Sequence, residues 1–110
     1  MSPVGACRSV ARMNLYVILR RSGWASGAEL EAAAARSTKL GNEDMPDDVR
    51  WIRSYVLDEG AGTVGTVCIY EATSPEALRR HADLADLPVD EIIAVADTVI
   101  VRPDPETAAV

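Results

Sequence analysis

The sequence predicts an α+β domain of the split βαβ, or ferredoxin-like, kind: a four-stranded antiparallel sheet with two helices on one face. Three observations carry that expectation. Four apolar runs rich in Val, Ile and Tyr are interleaved with two segments of helical period, in the order strand, helix, strand, strand, helix, strand. The two middle strands are separated only by a Gly-containing turn, which pairs them as an antiparallel hairpin. Each helical segment opens on a serine placed as an N-cap.

The first strand is Met13 to Arg20 (MNLYVILR), followed by a loop over Arg21 to Ala25 that contains Gly23. Ser26 then caps a helix, with Glu29 at the capping-box spacing. This helix runs to about Leu40 and turns Leu30, Ala33, Ala34 and Ser37 inward, side chains small enough to let it lie close to the sheet. Gly41-Asn42 supplies its stop. Asn42 to Asp48 (NEDMPDD) reads as a solvated acidic loop; a calcium loop would need a central glycine, which it lacks. Val49 to Leu57 is the second strand, Asp58 to Thr63 the turn, and Val64 to Ala72 the third strand. Ser74 and Pro75 open the second helix, Glu76 complements its dipole, and it reaches about Ala85 before Leu87-Pro88 breaks it. Val89 to Glu91 fit one further helical turn, and Ile93 to Val101 form the fourth strand. The expected organisation is an N-terminal extension over 1–12, one domain over 13–104 and a tail over 105–110.

The chain has 110 residues, which suffices for one modest core. Apolar residues make up 48% and charged residues 25%, ordinary for a globular protein, although Phe is absent. The net charge of -6, without a long Lys/Arg cluster, argues against nucleic acid and against an anionic membrane as partners. No apolar run approaches the ~18 residues of a membrane span. Cys7 and Cys68 stand apart, and nothing in their context points to a disulfide. Residues 1–12 lack the apolar region of a secretory signal, so a cytoplasmic location is expected.

An antiparallel sheet with one wet face alternates apolar and polar residues. Here both faces are apolar: Leu15, Val17 and Leu19 oppose Tyr16 and Ile18, and Val67 and Ile69 oppose Cys68 and Tyr70. The helices cover one face, and a second copy of the chain is the expected cover of the other, giving a homodimeric α+β barrel.

His81 is the only histidine, and it falls on the apolar side of the second helix. A lone histidine there is more often a hydrogen-bonded core residue, yet beside a carboxylate it could act as acid, base or ligand. Tyr70 and Glu71 close the strand that feeds its helix. Trp51, Arg53 and Tyr55 alternate along the neighbouring strand; with Tyr70 they would make an aromatic surface with one cation, suited to a small ligand between subunits. The candidate ligand-binding residues are therefore Trp51, Arg53, Tyr55, Tyr70, Glu71 and His81. No further nitrogen, sulfur or carboxylate ligands stand at metal-binding spacing, so no metal and no other cofactor is expected.

Three segments carry a family resemblance: WIRSYV (Trp51 to Val56), VCIYEATSPEALRRHADLADLP (Val67 to Pro88), and DEIIAV followed by VIVRPD. They resemble the small nickel-responsive-protein-like bacterial family, otherwise a domain of unknown function. The resemblance implies a dimeric ferredoxin-like α+β barrel. Members described as nickel binders carry a histidine-rich segment at the end of the first strand; the corresponding Ile18 to Gly23, ILRRSG, has none. The function expected is a small dimeric binding or sensing protein. The alternative, by analogy of fold alone, is a cofactor-independent oxygenase or isomerase with His81 as base and Arg53 steadying an anion.

Overall fold

The computed structural model describes residues 12–105. The expected extension before residue 12, Cys7 with it, and the tail beyond residue 105 lie outside the described residues. The element order is β1 (Asn14–Trp24), α1 (Gly27–Glu43), β2 (Val49–Asp58), β3 (Val64–Ala72), α2 (Pro75–Ala85) and β4 (Glu91–Ala94). The strands form one sheet in the order β2-β3-β1-β4, with every neighbouring pair antiparallel. This is the ferredoxin-like arrangement the sequence predicts.

Both helix starts follow from their caps. Ser26 Oγ accepts from the Glu29 amide at 3.3 Å, and Glu29 reaches back to the Ala25 amide at 3.1 Å. Ser74 Oγ accepts from the Ala77 amide at 3.1 Å, with Pro75 in the first helical position. The end of α2 is closed by Asp86 in the left-handed region (φ 57°) and by the Leu87 amide on the Ala82 carbonyl. Arg36 of α1 then donates to the Ala85 carbonyl at 2.9 Å, so one helix caps the other.

Four boundaries differ from the expectation. α1 passes through Gly41 and ends at Glu43, because the chain turns only where Met45 enters the core and its amide bonds the Leu40 carbonyl at 3.0 Å. The Arg21–Ala25 loop is instead the end of β1: the strand bulges after Arg20 and resumes pairing at Trp24 with Val64. Ser22 takes φ 48° there, and the Glu59 carboxylate accepts from its amide and from Arg21. Val89 to Glu91 form no helical turn; Asp90 bonds the Leu19 carbonyl and Glu91 begins β4. β4 stops at Ala94, short of Val101. It pairs with β1 so that Tyr16 faces Ala94, and continuing that register would place the partners of residues 99–101 before Asn14, where β1 begins.

The core lies between the helices and one sheet face, centred on Tyr16, Ile18, Cys68, Tyr70 and Leu78. On the other face Leu15, Val17, Leu19, Val67 and Ile69 remain half-buried and Ile93 exposed. Beyond β4 the chain carries Val99, Ile100 and Val101 at 76–84% exposure, then returns to the opposite edge, where Asp104 accepts from Tyr55 at 2.7 Å and from Arg53 at 3.2 Å.

Gly65 lies under the β1 bulge, where an added Cβ would stand 2.5 Å from the Arg20 carbonyl oxygen. Gly65→Ala should therefore lower unfolding free energy by ~1–3 kcal/mol in urea titration. Gly27, with nothing near its Cβ position, is the control: Gly27→Ala should be neutral or stabilise by about 0.5 kcal/mol. Equal effects would refute this account of the bulge.

Candidate functional site

A cavity of about 360 Å3 lies between α1 and the sheet. Its size is at the small end of the range for ligand sites. Small inward residues of α1, Ala33, Ala34 and Ser37, contribute one wall, and Trp24, Trp51 and Tyr70 much of the rest. The spacing that turns those small side chains inward is what leaves room beneath the helix. Trp51 stacks on Tyr70 with ring centroids 6.0 Å apart and planes 6° from parallel.

The polar groups of this region form one buried cluster. Ser37 Oγ lies 2.9 Å from the Tyr70 hydroxyl, and His81 Nε2 donates to the Ser37 carbonyl at 3.1 Å. That bond puts the ring proton on Nε2 and leaves Nδ1, buried, with no hydrogen-bond partner. A second space of about 110 Å3 reaches His81 and shares Ser37, Trp51 and Tyr70 with the larger cavity. Arg20 is 1% exposed; its Nη1 donates to the Pro88 carbonyl at 2.6 Å, and its Nη2 has no partner. Burial raises the Tyr70 phenol above its ordinary value, so it stays protonated near neutrality, while Ser37 and Arg20 partly oppose the shift. Burial lowers His81 below its ordinary value, its bond to Ser37 resisting and the Arg20 charge assisting.

The six candidates from the sequence separate into two groups. Trp51, Tyr70 and His81 lie on the helix side, around the cavities. Arg53, Tyr55 and Glu71 lie on the opposite face. The cause is a register shift in β2: Trp51 faces Tyr70, Ile52 is extra, and Arg53 faces Ile69. Because neighbouring strand residues point to opposite faces, one inserted residue moves Arg53 and Tyr55 away from Trp51. Glu71 pairs with Arg50 at 3.0 Å rather than with His81. Arg20 and Trp24 were missed as site residues. The signal for Arg20 was present: the Tyr16, Ile18 alternation continues to it, a charged residue at an inward position. Trp24 keeps the same parity and was hidden because Arg21 to Ala25 was read as a loop.

A ferredoxin-like α+β domain with an apolar cavity under its first helix is the class that this fold and site define. The chain belongs to the family of nickel responsive SCO4226-like proteins, which it matches over residues 16–95. The crystal structure of SCO4226 from Streptomyces coelicolor A3(2) is similar to it, with a TM-score of 0.61 and 21% identity over 77% of this chain and 99% of that one. At that identity the likeness concerns the fold. No curated protein matches the chain.

Among the described residues no three His, Cys, Asp or Glu side chains converge, and His81 Nε2 is committed to a carbonyl. Nor is any described helix long and apolar enough to cross a membrane.

The buried neutral imidazole has a consequence for stability. As pH falls, the unfolded chain protonates His81 near its ordinary 6.5 while the folded chain resists. Stability fully present above 6.5 is thus lost as pH falls through it, at up to about 1.4 kcal/mol per pH unit, until the native ring itself protonates. His81→Gln, which can still donate to Ser37 but does not titrate, should flatten this slope between pH 7 and about 5, where carboxylates take over. Urea midpoints measured across that interval check it; an unchanged slope would assign the titration elsewhere.

Proposed function

We propose that this protein is a small-molecule binding or sensing protein whose ligand enters the cavity between α1 and the sheet. The observation that carries the reading is the cavity itself, apolar in its walls and lined by a few convergent polar groups, Arg20, Ser37 and Tyr70. The nickel response that gives the family its name enters as biological context. The enzyme alternative would use His81 and Arg53 on one substrate, and these lie on opposite faces of the sheet.

The neutral fluorescent probe N-phenylnaphthylamine tests the cavity. It should bind saturably with one site per chain and quench Trp24 and Trp51, the chain's two tryptophans, which both line the cavity. Ala34→Phe should fill the space and abolish binding while leaving the circular dichroism spectrum unchanged. Saturable binding that survives this substitution would place the probe elsewhere.

We further propose that the open sheet face is covered by a second copy. Support comes from the half-buried row Leu15, Val17, Leu19, Val67 and Ile69, and from the exposed Val99, Ile100 and Val101 beside it. Sedimentation equilibrium at micromolar concentration should give a dimer mass, and Val17→Lys should shift it to monomer. A monomer in the unmodified protein would sink the idea.

A further inference from the structure

Arg20 is the least expected residue in the core. A guanidinium keeps its charge in proteins and is almost never buried unless paired. This one is 1% exposed, yet its Nη1 donates only to the Pro88 carbonyl, and its Nη2 makes no hydrogen bond, the Tyr70 phenol being the neutral polar group its charge acts on. None of its hydrogen bonds is to a carboxylate, and the ion pairs among the described residues do not include it. Among the described residues Glu31 is the single acidic one lining the cavity, and it is exposed on α1. An uncompensated buried charge costs several kcal/mol in general, so a position that retains one calls for an anionic partner.

The surroundings narrow the partner's chemistry. The cavity wall that includes Arg20 also holds the hydroxyls of Thr66, Ser37 and Tyr70, each able to donate or accept. The rest is largely apolar, with Trp24 and Trp51 among its walls. One free guanidinium nitrogen with neighbouring hydroxyls suits a singly charged planar oxyanion. A phosphate dianion would ask for more cations than this wall offers, in a chain of net charge -6. We propose that the cavity takes a small, largely apolar carboxylic acid, its carboxylate held by Arg20 Nη2 and its ring or chain lying between Trp24 and Trp51. This rests on the cavity reading above and names the ligand class.

The test compares trans-cinnamate with cinnamamide, its neutral counterpart of the same shape, by calorimetry and tryptophan emission. The acid should bind at least about tenfold more tightly, as expected for one charge-assisted hydrogen bond. Arg20→Met, which keeps the length and removes the charge, should erase that preference and leave the amide's affinity in place. In the unmodified protein the guanidinium NMR resonances of Arg20 should shift with cinnamate and not with cinnamamide, a readout that stands even where the variant fails to fold. Equal affinities, a preference that survives Arg20→Met, or unmoved Arg20 resonances would each overturn the assignment. If neither compound binds but N-phenylnaphthylamine does, the carboxylate class falls and the cavity reading stands; if the neutral probe also fails, both fall.

Discussion

Ser37 is the point at which the two helices and the central strand β3 are joined. Its hydroxyl meets Tyr70 of β3 and its carbonyl accepts from His81 of α2, so α1 shares one buried set of hydrogen bonds with two elements more than thirty positions further along the chain. A buried polar group left without its partner costs about 1–3 kcal/mol, so each member constrains the other two. The position of α1 over the sheet follows from this, and with it the height of the cavity roof. Arg36, one residue earlier, extends the same coupling to the α2 C-terminus.

Two bulges then decide what the cavity contains. The bulge after Arg20 brings Trp24 back to the helix side, buried at 7% exposure, and Gly65 yields the space for it. The bulge at Ile52 keeps Trp51 on the helix side and sends Arg53 and Tyr55 to the other face. The aromatic wall and the aromatic-cationic surface are therefore separate features. The first belongs to the cavity under α1; the second holds the chain beyond β4 through Asp104.

The sheet thus has two unlike faces. One is packed by helices and holds a polar cluster and a cavity. The other is apolar, carries no helix, and is bordered by an extended segment whose large side chains face outward. A domain this size buries a modest fraction of its surface on folding, and covering that second face would add to a small core.

The order of elements, both N-caps, the β2–β3 hairpin and the inward face of α1 were legible in the sequence. Each depends on residues within a few positions of one another: a serine three residues before an amide, a glycine turn, a repeat of small side chains every three or four residues. His81 was legible as inward-facing for the same reason. What could not be read there depends on distant partners. Strand faces reverse where a bulge inserts one residue, as at Ile52, and such a bulge is set by pairing across the sheet. The end of β4 is set by where β1 begins, some eighty positions earlier in the chain. Arg20 stood in the sequence as the last residue of an apolar strand; its burial, its free nitrogen and the cavity beside it exist only once α1 and Pro88 have folded over it.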